Sequence, residues 1–361
     1  MSKKNKKSIL ESDIELGGTG LSQKALFAKN LSVMLKSGLT ISEALAISRD
    51  SAKGRFKKII DGVRGSVEAG HSLSDAFSFY PQVFSGLFIN ITSSGEASGD
   101  LDESMENISA QLKKEEELVS KIKGALVYPV IILIASILLG IAMVFFVLPK
   151  ITPLFEGLNM ELPASTRFLI WFSNFVQAHF WFLLIGLVLG IIFLFWLLRQ
   201  KFVKPATHWL ILKMPAVSRV SRGTNLSRFC RSLGTLLKSG LNIDEAFDIT
   251  SGTLNNFYYK RAVSQASKGV SRGSKISENL GYHKNLFPNI VIKMIKVGEE
   301  SGRLEETLEY LADYYEADVD NSTKTLSTVI EPVLLLMIGL VVGFLAISII
   351  TPIYNITGGI Q

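Results

Sequence analysis

Charge disappears from this 361-residue chain in three windows, 124–149, 168–198 and 332–361, which hold no Asp, Glu, Lys or Arg. Each exceeds the roughly 20 helical residues needed to cross a hydrocarbon core about 30 Å thick. The pattern therefore predicts three transmembrane helices. Elsewhere the apolar positions keep a helical period. Phe27, Leu31, Met34 and Leu35 stand at i, i+4, i+7 and i+8, one stripe facing a core. Gly38 stops that helix at a position suited to positive φ, and Thr40 with Glu43 has the spacing of a capping box that starts the next. Runs 54–69, 84–94 and 101–123 continue the helical reading, with almost no sustained alternation of period two. The second window opens with Trp171, Ser173, Asn174, Gln177 and His179 among its apolar residues. That mixture predicts an interfacial entry, with the true span at Phe180–Leu198 and Trp181 and Trp196 at its rims.

The chain repeats itself after 202–203 residues. Phe27–Ile47 and Phe229–Ile249 agree at 11 of 21 positions, including KSGL, the following isoleucine, and Glu43-Ala44 against Glu245-Ala246. Gly38 thus has its counterpart in Gly240, and Thr40 in Asn242. After one residue of slippage, Gly95-Glu96-Ala97-Ser98-Gly99-Asp100-Leu101 matches Gly298-Glu299-Glu300-Ser301-Gly302-Arg303-Leu304. Phe84 matches Phe287, and Pro129 in the first window matches Pro332 in the third. The repeating unit is a small bundle of about six helices plus the span that follows it. The second span has no counterpart and returns the chain to its starting side.

Charge orients this arrangement. Residues 1–123 hold 17 Lys and Arg and residues 199–328 hold 19, whereas 150–167 holds only Lys150 and Arg167. The positive-inside rule puts the two large blocks in the cytoplasm, with 150–167 and the tail outside. The predicted all-α organisation is an N-terminal arm (1–21), cytoplasmic bundle 1 (22–123), a first span (124–149) and an external loop (150–167). An interfacial segment with the second span (168–198), a basic juxtamembrane linker (199–223), cytoplasmic bundle 2 (224–328), a third span (329–352) and an external tail (353–361) complete it. The lysine-rich start, Met1 to Lys7, has no apolar core after it, so no cleaved signal is expected. Arg199, Lys201, Lys204, Lys213, Arg219, Arg222, Arg228 and Arg231 precede the next acid, Asp244. Such a cluster beside a span reads as a site for anionic lipid headgroups, and no nucleic-acid partner is expected.

A duplicated catalytic site should duplicate its residues, and none does. His71 aligns with Ser274 and His283 with Tyr80, while His179 and His208 are also unmatched. Cys230 aligns with Ala28 on a core-like helix and reads as a buried thiol. Gly65 to Ser72 resembles a phosphate-binding loop except that histidine replaces the essential lysine and no strand precedes it. No catalytic, cofactor or metal residue is therefore assigned. In the GE-x-SG-x-L segments, Gly95 is expected to end one helix and Ser98-Gly99 to turn into the next, with Asp102 and Glu305 in its first turn. Glu96 and Glu299 are left over; bonding the turn, facing a partner and meeting a cation all stay open. Within the membrane, Pro129 and Pro332 either kink their helices or mark N1 positions. Gly339-x-x-x-Gly343 and Gly186-x-x-x-Gly190 offer small faces for packing within the chain or between copies. Glu331, beside the third span, meets either lipid headgroups or another membrane protein.

The GL-x-I-x-EA and GE-x-SG-x-L segments, occurring in order twice and each followed by a span, closely resemble the type II secretion F family from about Leu21 onward. That resemblance implies an inner-membrane platform of type IV pilus or type II secretion machines, homo-oligomeric and without enzymatic activity. It further implies contacts with a hexameric cytoplasmic ATPase, with pilin or pseudopilin subunits and with alignment-complex membrane proteins. The motif residues Gly38, Glu43, Gly95, Glu96, Gly99, Leu101, Gly240, Glu245, Gly298, Glu299, Gly302 and Leu304 then become candidates for partner contact. The residues alone also admit a small-solute transporter or a membrane receptor scaffold, although the spans lack ion pairs or an acidic relay.

Overall fold

A computed structural model describes residues 19–150, 163–200 and 202–358, and among them helix is the only regular structure. The expected arm as far as residue 18, residues 151–162 of the expected external loop, Lys201 and residues 359–361 lie outside the described residues. The chain divides into two compact units, one formed by residues up to Val119 with Arg222–Ala317, the other by Ser120–Ser221 with Asp318 onward.

The first unit holds both bundles, each of six helices. Bundle 1 comprises α1 (Leu21–Lys36), α2 (Ile41–Ser51), α3 (Gly54–Glu68), α4 (Leu73–Ser78), α5 (Gly86–Ser98) and the start of α6 (Leu101–Ala142). Aromatic rings fill its centre: Phe27 stands edge-on to Phe56 at 5.5 Å, and Phe77 lies 4.3 Å from Phe84. Such pairs add to the area they bury because ring edge and ring face carry opposite partial charge. Bundle 2 repeats the order with α10 (Pro215–Lys238), α11 (Ile243–Thr253), α12 (Phe257–Val270), α13 (Ile276–Gly281), α14 (Asn289–Ser301) and the start of α15 (Leu304–Gly358). Here Phe229 packs on Phe287 at 5.3 Å, and Tyr259, in the place of Phe56, donates its hydroxyl to the Leu286 carbonyl at 2.8 Å. Cys230 is buried, and burial pushes its thiol above the ordinary range.

The second unit holds the apolar helices. Leu101–Lys150, Phe180–Arg199 and Leu304–Ser348 are long and apolar enough to cross a membrane, and the rest of the chain buries none of their most apolar stretches. α7 (Ala164–Ala178) and α8 (Phe180–Arg199) are separated at His179, whose ψ of 19° leaves the helical range. Pro129 and Pro332 both lie inside helices, so neither is an N1 residue. A β-carbon on Gly186, Gly190, Gly339 or Gly343 would meet nothing within 4 Å among the described residues, which make no close approach at these glycines.

α6 continues through a π turn at Met143–Val147. A π turn displaces a carbonyl from the regular ladder, and in an apolar medium that oxygen needs a donor. Val144 receives two, from Ser173 at 3.3 Å and Gln177 at 3.0 Å on α7. Thr166 of the same helix donates to the Ser348 carbonyl on α15 at 2.6 Å. Of the polar residues that suggested an interfacial segment, Ser173 and Gln177 thus satisfy a backbone carbonyl of the first span, and Thr166 just before them one of the third. The stretch expected as a basic linker is helical as well: α9 (Lys204–Lys213) and α10 follow each other with only Met214 between them.

Candidate functional site

The twice-occurring glycine–glutamate segment forms the junction between the last two helices of each bundle. α5 closes on Gly99 at φ +83° and α14 on Gly302 at φ +70°. In this left-handed region glycine escapes the Cβ clash. Gly95 does not end a helix as expected. It lies inside α5, buried, and Gly298 holds the same place in α14. A Cβ on Gly95 would fall 2.2 Å from Ser104 Oγ, and one on Gly298 2.8 Å from Thr307 Oγ1. These glycines let the first turns of α6 and α15 lie directly on the preceding helix. Leu101 is buried and Leu304 half-buried at those starts, with Asp102 and Glu305 in the first turns.

One residue on, Glu96 reaches back to the beginning of α4. Its Oε1 accepts the Leu73 N–H at 2.5 Å, and Oε2 accepts the Ser74 N–H at 2.9 Å and the Ser74 hydroxyl at 2.6 Å. Glu299 makes the same clamp on α13, accepting the Ile276 N–H at 2.5 Å and the Ser277 N–H at 3.1 Å. The first N–H groups of a helix have no intrahelical acceptor and carry its positive dipole end, so a half-buried carboxylate there gains charge-assisted bonds. The leftover glutamates therefore bond backbone of their own bundle, at a helix start 22–23 residues upstream instead of their own turn. The segment that resembled a phosphate-binding loop is the approach to this clamp: Gly70 has φ +95°, and Ser72 caps α4 through the Asp75 N–H at 3.0 Å.

The helix corners behave less uniformly. Gly38 and Gly240 both adopt positive φ, +85° and +80°. Thr40 and Glu43 complete a capping box: the Glu43 N–H donates to Thr40 Oγ1 at 3.3 Å, and Glu43 Oε2 accepts from the Thr40 N–H at 3.0 Å and its hydroxyl at 2.7 Å. These bonds hold the Glu43 carboxyl below its ordinary range. Asn242 makes no such cap, against expectation, although Asp244 and Glu245 both stand in the first turn. In the apolar unit the Tyr128 hydroxyl donates to Glu331 at 3.3 Å, joining two positions that the repeat aligns.

The bundles also meet each other, which sequence reasoning missed. Ser94 donates to the Ser239 carbonyl, Thr235 to the Gln111 side chain at 3.3 Å, and Arg228 pairs with Glu115 at 2.9 Å. Arg231 grips Asp313 at 2.5 Å and Glu316 at 2.8 Å, and Lys114 lies 3.5 Å from both. Burial alone would raise the Asp313 carboxyl; the bonds to Arg231 and the charge of Lys114 outweigh it and leave it lowered. Arg228 and Arg231 are thus committed to ion pairs and drop out of the expected lipid-facing cluster. Between the bundles lies a cavity of about 250 Å³ bordered by Lys24, Leu87, Gln111, Arg228 and Thr253. Burial depresses the Lys24 ammonium there, partly offset by Glu115. No cluster of three or more metal-ligating side chains occurs among the described residues.

Two copies of one helical bundle, each continuing into a helix able to cross a membrane, define a multi-pass membrane protein built by internal duplication. The family described as type II secretion system (T2SS), protein F matches residues 27–149 and again 229–352, once in each copy, and the chain belongs to that family. It is 35% identical to the type IV pilus assembly protein PilC of Thermus thermophilus over 346 residues, covering 94% of this chain and 84% of that protein. The PilC protein of Myxococcus xanthus is 33% identical over 99% of this chain and 87% of its own length. The type II secretion system protein F of Aeromonas hydrophila is 31% identical over 94% and 87%.

Proposed function

We propose that this chain is the inner-membrane platform of a type IV pilus or type II secretion machine, a mechanical part without hydrolytic chemistry. The observation that carries this reading is the double match to the protein F family, each half ending in a membrane-capable helix. The charge distribution supports an N-terminus and two bundles in the cytoplasm, with the C-terminus outside. In this role a hexameric assembly ATPase acts on the cytoplasmic bundles, and pilin or pseudopilin subunits and alignment-complex proteins meet the platform in the membrane. Arg199, Lys204, Lys213 and Arg219 engage anionic lipid, and the working form is a homo-oligomer. α6 and α15 each run unbroken from the glycine–glutamate junction into an apolar stretch, so load applied to a bundle travels along one helix into its span.

Deleting the gene should abolish surface fibres or secretion while pilin levels stay normal, and the intact gene should restore them. Normal fibres and secretion in the deletion strain would refute the proposal. Solute flux through vesicles holding the purified chain would favour a transporter instead.

A further inference from the structure

The contact between the two bundles uses only half of what the duplication built. Bundle 1 contributes Leu87, Ser94 and Gln111 from α5 and α6; bundle 2 contributes Arg228, Thr235 and Ser239 from α10 and its corner. The repeat carries the first three to Ile290, Val297 and Tyr314, and the second three to Leu26, Val33 and Ser37. A two-fold relation between the bundles would bury this second pair of faces as well. Instead Ile290, Val297 and Tyr314 are 55%, 58% and 53% exposed, and Leu26 and Val33 are 62% and 52% exposed. The contact is therefore heterologous, and each of its two faces is displayed once more without a partner among the described residues.

The chemistry of the displayed faces changes in step. The hydrogen-bonded pair Thr235 and Gln111 maps onto Val33 and Tyr314, an aliphatic side chain and an aromatic ring with a polar tip. Ser94, which bonds the Ser239 carbonyl, maps onto Val297. Leu26 and Val33 lie seven residues apart on α1, and Ile290 and Val297 seven apart on α14, so each pair shares one exposed helix face, with Lys29 and Asn30 between the first two and Lys293 and Met294 between the second. Bundle 1 also carries a hollow of about 220 Å³ bordered by Leu26, Asn30 and Ser51. Their equivalents Arg228, Ser232 and Thr253 line the cavity between the bundles together with Leu87, whose own equivalent is Ile290.

We propose that copies of this chain associate head to tail, the α14–α15 face of one copy docking on the α1 face of the next and repeating between chains the contact that the bundles make within one. The inference rests on the proposed platform only for its homo-oligomeric form. Its test needs no fibre or secretion assay, so the two fail separately.

The full chain is tested in membranes with Cys230→Ala, the residue that stands at the matching position of the first copy. Differently tagged chains carrying Ser37→Cys and Val297→Cys are co-expressed and treated with a short bismaleimide. A cross-linked heterodimer is expected, whereas either variant alone should give none. Val33→Cys with Tyr314→Cys should behave the same way. Ser94→Cys and Ser239→Cys within one chain should give an intramolecular product and so report the reference contact. Adding Val33→Glu should abolish the heterodimer and preserve that intramolecular product. Absence of the heterodimer beside a normal internal product overturns the proposal; so does dominant cross-linking of Ser37→Cys or Val297→Cys chains to themselves, or failure of the internal product.

Discussion

The two bundles keep the same carboxylate clamp but start their second helix differently. In both copies a glutamate one residue after a buried glycine holds the first N–H groups of a short helix, at 2.5 and 2.9 Å in one and 2.5 and 3.1 Å in the other. At the corner, Thr40 and Glu43 lock each other, while Asn242 caps nothing. The clamp joins residues 22–23 positions apart and has no substitute, because a helix start packed into a bundle cannot turn to water for its donors. The corner lies at the surface, where water replaces a lost cap and the sequence drifts at small cost. What duplication retains is thus the half-buried polar contact between distant segments.

Removing the clamp should be the most damaging change. Glu96→Ala leaves two backbone donors and the Ser74 hydroxyl without their carboxylate. Glu299→Ala leaves two donors. With charge-assisted bonds to a half-buried group, the losses should be about 3 and about 2 kcal/mol. Denaturation of the detergent-solubilised chain measures both, and amide exchange at residues 73–74 and 276–277 localises them. Equal losses would remove the Ser74 hydroxyl from the comparison.

Adding a methyl group at the glycine beside the clamp comes next. Gly95→Ala puts Cβ against Ser104, and Gly298→Ala puts it 3.0 Å from Thr307 Cβ and 3.1 Å from Leu304 Cα. Overpacking of this kind, less the helix preference gained with alanine, should cost about 1–2 kcal/mol. Ser104→Gly in the Gly95→Ala chain should recover most of the packing part of that loss in the same denaturation experiment, leaving the contact with the Asp100 carbonyl oxygen at 3.2 Å. Thr307→Gly should likewise relieve only the side-chain part of the Gly298→Ala clash, leaving the contact with Leu304 Cα at 3.1 Å.

Much of this was legible in the sequence, for reasons that differ by position. The spans declare themselves through absent charge, and the glycines at 38, 99, 240 and 302 through their place after a helical stripe, because both signals are local. In the sequence Gly95 reads as a helix end, since a glycine near a turn is ambiguous without its neighbour across the bundle, Ser104. Glu96 could not be assigned because its donors, Leu73 and Ser74, lie a helix and a loop away. Arg228 and Arg231 looked like the end of a basic run beside a membrane. Their acidic partners, Glu115, Asp313 and Glu316, are more than 80 residues distant along the chain, and charge periodicity holds no trace of such pairing.

The corners give the smallest effects and the sharpest contrast. Thr40→Ala removes a cap and should cost about 1 kcal/mol, whereas Asn242→Ala, at a side chain that caps nothing, should stay within about 0.5 kcal/mol. The Thr40 hydroxyl, and then the Thr40 N–H, depress the Glu43 carboxyl, so the folded protein binds this proton less readily than the unfolded chain does. Its contribution is complete above the ordinary carboxylate range and is lost as pH falls through the lower folded value. Carboxyl carbon resonances followed through an acid titration should therefore place Glu43 below the ordinary range. In the Thr40→Ala chain the same resonance should return to that range, because both the hydroxyl and the box geometry are gone. An unmoved Glu43 would mean that the box does not persist in solution, and the two corners would then differ in sequence alone.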